Sequence, residues 1–555
     1  MIIKFRNPGE YGIIKDIDPH DLPLGVWSDG NNVRFRDGRV ERISGHTAVY
    51  ESATPTTEDN TTFILPYFDG TDFKWLLAGD EVVYSQTGQS RTEVTRTAGV
   101  GDYSADADNR WNGCIFGGVP IINNGVDPPQ SLTSGTSPTI FEDLKWNDSA
   151  AGGSTSTWLT TDGTDGATGT NGFTCKVMRS YRDHLIALNI TDQDAVSDGN
   201  NPYEIRWSHA ASAGAVPVTW DASNDAYDAG TYSLVETPDY LVDCLTLRDQ
   251  NIVYKESTTW LMRYVGAPRI FEFSKILGES GMMAQQCAVE FQGQHLVKTL
   301  DDLILHNGQQ VTGRVLDKSW RRWLQNNIDA TNYDKCFMVP NHRQLEIWFC
   351  FPSNGKTYPD RALIWNYQDN KISVRDLPDM VHAAVGIIAD QIDDTLGNSV
   401  GTIAAQEGIY DQRLYDPIAQ YLLMSKFVNG ATNATLYQSD TGNTFGGASI
   451  TSTLTREGIP LTENDTDARS YKMVRGIIPY ITGTVGGTVE VRIGTQVNRT
   501  DEIDWEDWQT YTIGTTRTLN FRASGYYMSI QYRTTDQTEW SLGGFDIDVI
   551  ETGRQ

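Results

Sequence analysis

The residues best suited to chemistry in this chain are spaced so that they do not make a site. Its eight histidines (20, 46, 184, 209, 295, 306, 342 and 382) include no pair at i, i+2 or i, i+4, the spacings that aim two imidazoles of one strand or helix at one metal. Its six cysteines, Cys114, Cys175, Cys244, Cys287, Cys336 and Cys350, are far apart, and Cys114, Cys244, Cys336 and Cys350 sit beside apolar strand residues. They read as small core side chains rather than as metal ligands or a redox pair. Asp162 and Asp165 lie in a Gly- and Thr-rich run with the composition of a calcium loop, but without its ladder of ligands and closing Glu. Gly-x-Ser-x-Gly, His-Glu-x-x-His and P-loop patterns are all missing. The expectation is therefore no catalytic residue, no cofactor and no metal.

Two further groups have a definable role. Asp440-Thr-Gly-Asn-Thr-Phe445 resembles the Asp-box of sialidases and related propellers, Ser-x-Asp-x-Gly-x-Thr-Trp, with Gln438 in place of the Ser and Phe445 in place of the Trp. Asp and Gly at those positions make a β-turn, so a single copy predicts strand-turn-strand, not hydrolysis. Near the N-terminus, Asn32–Arg36, Asp37-Gly38 and Arg39–Ile43 read as a hairpin, because Asp-Gly suits a two-residue turn. Alternation leaves Val33, Phe35 and Val40 on one face and collects Arg34, Arg36, Arg39 and Arg42 on charged positions. These four arginines are the candidate docking surface for an acidic neighbour.

The elements around these residues are strands. Short apolar stretches begin at Phe73, Cys114, His184, Asn251, His295 and Gln344, each followed by polar turns. Spacing of about 40–50 residues is that of propeller blades; the two longer gaps imply insertions near 131–172, read as a long exposed loop, and near 191–232, which is similar but contains a strand, Tyr203–Trp207, with Tyr203, Ile205 and Trp207 on one face. One helix is expected over Asp317–Ile328, with Ser319 as its N-cap and Trp320, Trp323, Leu324 and Ile328 on one face. Beyond about 450 the pattern becomes clean period-2 alternation: Val489, Val491, Ile493; Tyr526, Met528, Ile530, Tyr532; Phe545, Ile547, Val549. That is the signature of a β-sandwich, with Asp546 and Asp548 on its solvated side. The fold class is thus all-β: an N-terminal hairpin unit over 1–55, an irregular propeller over 56–449 and a sandwich over 450–555.

The formal charge of −28 and the lack of a basic run argue against nucleic-acid binding, which rests on cationic contacts to phosphate. No stretch approaches 18 apolar residues, so no membrane span is expected. The first residues lack the apolar core of a signal peptide, which implies synthesis in a reducing cytoplasm.

Three regions together resemble the tail nozzle, or packaged-DNA stabilisation, proteins of short-tailed bacteriophages. They are Pro23 to Gly45; the propeller-like middle with Gly281 to Leu305 and the Trp-rich helix; and Arg475–Pro479, Gly494–Gln496, Ser524–Tyr527, Trp540–Val549 and Gly553-Arg554. The resemblance implies a virion tail protein assembled in the host cytoplasm. It would form a homohexameric ring below the portal-adaptor ring, with tail fibres or spikes and a plug or needle as neighbours. DNA would be retained in the channel and later ejected without specific binding. Six copies would carry a charge of roughly −170, which lets DNA slide rather than stick. The alternatives are a phage propeller glycoside hydrolase or depolymerase, and a receptor-binding protein whose inserted loops hold the receptor.

Overall fold

The computed structural model describes residues 2–15, 17–50, 61–96, 103–106, 108–133, 140–147, 156–158, 173–192, 199–388, 420–427, 435–460 and 470–554. Nearly every element is a strand, and the one α-helix among the described residues is Lys318–Asn327. The chain is all-β, as its turn-rich, Val-, Ile- and Tyr-bearing stretches require.

Seven blades form the larger part: six antiparallel four-stranded sheets and a seventh, six-stranded sheet whose last strands, Thr444–Phe445 and Ala448–Ser449, follow His46–Val49, the first of them in parallel. Blade 1 spans Phe63–Phe68 to Ser90–Glu93, blade 2 Asn112–Phe116 to Glu142–Asp143, and blade 3 Phe173–Tyr181 to Gly230–Ser233. Blade 4 spans Leu241–Leu247 to Phe271–Leu277, blade 5 Ala288–Phe291 to Val311–Arg314, and blade 6 Phe337–Asn341 to Lys371–Asp376. In each, the first strand is innermost, and each inner strand touches that of the next blade. Blade 7 closes the circle by combining Met380–Ile387, Gln420–Lys426 and Thr435–Ser439 with His46–Val49 from the other end of the chain. Joining early and late segments in one blade locks the ring, because opening it would break a hydrogen-bonded ladder. At the seam the Trp75 indole N–H donates to the Ile387 carbonyl at 2.8 Å. Gly386 lies beneath that ring, where a Cβ would come within 2.7 Å.

The second part is a sandwich of two six-stranded sheets. One runs Val33–Arg36, Arg39–Arg42, Trp540–Arg554, Ser470–Gly483, Leu519–Gly525, with Ile2–Arg6 also paired to Trp540–Arg554. The other runs Asp29–Asn31, Ser452–Pro460, Tyr527–Thr534, Thr488–Gln496, and then Asp504–Trp505 and Gln509–Thr512. Taken in chain order from Arg39–Arg42, the eight main strands follow jelly-roll order, changing sheet at every step except from Thr488–Gln496 to Gln509–Thr512, which pair in one sheet. The whole propeller is an insertion between the first of these strands and the second. The inward residues are those the alternation picks out: Val489, Val491, Ile493, Met528, Ile530, Tyr532, Phe545, Ile547 and Val549 are all buried.

Several expectations are corrected. Residues 1–55 are not a unit of their own: their strands belong to the sandwich up to Arg42 and to blade 7 from His46. Hairpin geometry was readable locally, but not the partner strand Trp540–Arg554, about 500 residues away. In the region 191–232 the strand expected at Tyr203–Trp207 is part of Asn200–Trp207, but a second, unexpected strand, Gly230–Ser233, follows it, and the two are the outer strands of blade 3. Much of 131–172, including Asp162 and Asp165, falls outside the described residues; the rest supplies outer strands to blade 2 and a separate two-stranded sheet, Lys145–Asn147 with Ser156–Thr157, and contains the buried Trp158. The helix is capped by Asp317, not Ser319. The Asp317 carboxylate accepts from Trp320 N–H at 2.9 Å and from the Ser319 hydroxyl at 2.7 Å, as an N-cap should. Asp546 is buried and not solvated, because Arg6 of the N-terminal strand and Tyr480 both donate to it, each at 2.7 Å.

Sandwich and propeller share a core. Trp320 is buried against Ile13 and donates to its carbonyl at 3.0 Å. One continuous apolar cluster runs from Phe545 and Val491 through Trp27, Phe35 and Trp320 to Phe349 and Leu296 of the blades. Contact on this scale makes the two parts one rigid body.

Candidate functional site

The four hairpin arginines do not present a common exposed face. Arg34 and Arg42 are buried. Arg36 donates to the Gln344 side chain at 2.7 Å and to its carbonyl at 3.2 Å, and Arg39 to the Thr482 hydroxyl at 2.8 Å. Arg42 donates to the carbonyls of Asn443 and Asp536 at 3.0 and 2.9 Å. Arg34 and Arg42 are thus taken up between propeller and sandwich while Arg36 and Arg39 stay half-buried, so the four do not form one exposed docking surface.

Arg34 belongs instead to a buried junction. Its guanidinium donates to both oxygens of Glu346 and to Asp440 Oδ1, the last at 3.1 Å. Arg375 donates to the same Asp440 oxygen at 3.0 Å and to the Gly45 carbonyl at 3.2 Å. Asn341 donates to Asp440 Oδ2 at 2.6 Å, and the Trp348 indole to Glu346 at 3.0 Å. Arg375 also lies over the Trp348 ring, 4.6 Å from its centroid. Two cations and two carboxylates thus bind the N-terminal hairpin, blade 6 and the turn of blade 7 with no net charge. Burial alone would raise the Asp440 carboxyl, but Arg34 and Arg375 outweigh it and hold the group well below the ordinary carboxylate range. Burial likewise opposes the charge on Arg34, yet Glu346 and Asp440 together keep its pKa raised. Arg375 is lowered by burial because it shares its one carboxylate with a second cation. Asp440 is the Asp-box-like residue; it sits in the left-handed region at φ 56°, and its carboxylate is fully engaged in this junction.

A second polar system crosses the propeller axis. Arg179 of blade 3 meets Asp243 of blade 4 through two bonds, at 3.0 and 2.9 Å, and also donates to the Gly113 carbonyl of blade 2 at 3.2 Å. Asp243 accepts from Gln286 N–H at 2.9 Å, at the entry to blade 5. The Gln286 carbonyl accepts from Met338 N–H of blade 6 at 2.9 Å, and its side-chain oxygen lies 3.1 Å from His382 Nε2 of blade 7. His382 Nδ1 accepts from Ile64 N–H of blade 1 at 3.3 Å, which fixes the Nε2–H tautomer. All seven blades are tied in this way, and side chains occupy the axis at this level. Burial, with Arg110 and Arg179 nearby, pushes His382 down to about 3. Blade 5 carries a related relay. Gly308 N–H donates to His306, His306 to the Tyr254 oxygen (2.7 Å), the Tyr254 hydroxyl to His295 (2.6 Å) and His295 to the Thr246 carbonyl (3.0 Å). Every donor finds an acceptor only when both imidazoles are neutral.

Above the axis, on the face formed by the blade-entry loops, is a cleft of about 530 Å³ reaching from blade 2 to blade 6. Its lining includes Arg110, Lys176, Glu256 and Asp334, with Tyr240, Leu300 and Tyr333 exposed. Arg110 donates to the Asp334 main-chain carbonyl at 2.9 Å. Among the described residues no group of three or more His, Cys, Asp and Glu is arranged to hold a metal ion, and no helix is long and apolar enough to cross a membrane.

Sequence reasoning missed Arg179, Asp243, Glu346, Arg375 and His382. The available signal was a charged residue inside an apolar strand, as in Leu241-Val-Asp-Cys-Leu245 and Val177-Met-Arg179; a charge at such a position needs a buried partner.

No known family model matches the chain, and no curated protein matches it. Among solved structures it is similar to PorZ, a surface component of the type-IX secretion system of Porphyromonas gingivalis, at 9% identity and TM-score 0.34, over 84% of this chain and 46% of that one. It is similar to the extracellular domain of a hybrid two-component system of B. thetaiotaomicron, at 8% identity and TM-score 0.38, over 88% of this chain and 57% of that one. A glycoside hydrolase matches at 9% identity and TM-score 0.24, over 90% and 99%. The chain therefore spans only about half the length of the first two, and none of these likenesses is close enough to transfer a function.

Proposed function

We propose that the protein is a structural virion component, a tail nozzle subunit that forms a ring around the DNA exit channel of a short-tailed bacteriophage. The observation that carries this reading is the meeting of the chain's two ends. The N-terminal and C-terminal stretches that resemble nozzle proteins are neighbouring strands of one sheet, with Val40 opposite Leu542 and Glu41 opposite Ser541. They make up a single module, although about 500 residues separate them. The reading is also supported by mechanics: a buried ion-paired junction and a shared core give a body suited to wall material. Because side chains occupy the propeller axis, the DNA channel in this reading runs between subunits and not through a propeller. A ring closes through a heterologous interface, and its acidic surface keeps DNA mobile. The depolymerase reading gains nothing from Asp440, whose carboxylate is occupied by Arg34, Arg375 and Asn341.

The experiment is an amber mutation in this gene of the phage that carries it. The reading expects heads that package DNA but fail to keep it, and tails shortened below the portal-adaptor ring. Infectious, DNA-retaining particles without the protein would contradict it.

A further inference from the structure

We propose that the cleft over the propeller axis is a docking site for an extended segment of a partner protein in which an apolar side chain is flanked by Lys or Arg. The inference stands apart from the nozzle reading. At about 530 Å³ the cleft has the size of a ligand site. Large apolar side chains from three successive blades stand exposed on its rim: Leu300 at 60%, Tyr240 at 48% and Tyr333 at 43%. Met283 forms part of its floor, and methionine adapts to varied apolar partners. Three such residues gathered around one concavity make an apolar rim, unlike single exposed side chains scattered over a surface.

The charge of the occupant follows from its surroundings. Three acidic residues, Asp108, Glu256 and Asp334, line the cleft against two cations, Arg110 and Lys176, of which Arg110 is already engaged by the Asp334 main-chain carbonyl, and the whole chain carries −28. An acidic segment, including one from a second copy of this chain, would be repelled on approach, whereas a basic one is steered in.

The test is selection of a random 12-residue peptide library against the intact full-length protein, followed by fluorescence-polarisation titration of enriched peptides. The expected result is a consensus with one Leu, Met or aromatic residue between Lys or Arg. Binding should weaken at least about tenfold with Leu300→Ser, since the anchor loses its main apolar contact, and should weaken with rising salt. Tyr333→Ser provides a second variant, and circular dichroism melts establish that each is folded. No enrichment over an uncoated control, an acidic consensus, or affinity unchanged in both folded variants would overturn the proposal. So would competition by neutral oligosaccharide with no peptide dependence.

Discussion

Replacing Arg34 by Met tests the junction that joins hairpin, blade 6 and blade 7. The substitution keeps the aliphatic volume but removes one of two cations facing Glu346 and Asp440. Only Arg375 then remains for two carboxylates in a site where Glu346 is fully buried. Breaking a buried pair by removing one partner costs about 3–5 kcal/mol, because an uncompensated charge stays behind. Three hydrogen bonds from Arg34 are lost at the same time. Removing the stranded charge should recover part of that loss. In Arg34→Met with Glu346→Leu, the Arg375–Asp440 pair remains balanced, and the residual cost is the unpaired Trp348 indole N–H, about 1–3 kcal/mol. The double variant should therefore be more stable than Arg34→Met alone by about 2 kcal/mol. The assay is a double-mutant cycle by urea unfolding, followed by tryptophan fluorescence and, independently, by proteolysis of the 1–45 segment. Strict additivity of the two substitutions, or an Arg34→Met loss below about 1 kcal/mol, would refute the idea that this junction holds the parts together.

Acid should weaken the fold well above the carboxylate range. Burial depresses His295 to about 4 and His46, His306 and His382 to about 3. The unfolded chain thus binds more protons below about pH 6.5, and stability present at pH 7.5 is lost as pH falls from about 6.5 toward 4. At pH 5 each imidazole costs about 2 kcal/mol; a urea midpoint unchanged between pH 7.5 and 5 would contradict this. Gly45→Ala should abolish soluble, folded protein, since its Cβ would stand 2.0 Å from the Thr444 carbonyl oxygen and keep His46–Val49 out of blade 7. Normal expression with an unchanged melting temperature would contradict that. Trp320→Ala should cost about 3–5 kcal/mol, because the indole is buried and bonds Ile13 across the propeller–sandwich contact; a loss below 1 kcal/mol by urea unfolding would argue against a shared core. Deleting residues 2–42 should leave an aggregating chain, since it removes four sandwich strands; a monodisperse, cooperatively melting product on size exclusion would show the N-terminus to be dispensable.

Local pattern made much of this architecture legible. Alternation identified the inward residues of Thr488–Gln496 and Trp540–Arg554, and the recurring turn-strand stretches fell on six of the seven blades. The seventh was hidden because its strands are spread between residues 380 and 439 and its fourth comes from 46–49. Registry between distant strands leaves no trace in a short window, so the pairing of Arg39–Arg42 with Trp540–Arg554 could not be seen, and the arginines of a deeply packed hairpin read as an exposed patch. Arg34 alternates with Val33 and Phe35 as a surface residue would; only the arrival of Glu346 and Asp440, about 300 and 400 residues on, makes its burial possible. The Asp440 turn was readable because β-turn chemistry is local, but its ion-pair partners were not.

The central claim concerns assembly, and the most direct test is imaging. Purified protein, alone and mixed with its phage's portal-adaptor assembly, would be examined by negative-stain electron microscopy with class averaging. The nozzle account predicts closed rings with an open central lumen, six subunits around and seated coaxially below the adaptor. Single particles without rings in both samples, together with absence of the protein from tails of intact virions, would contradict it.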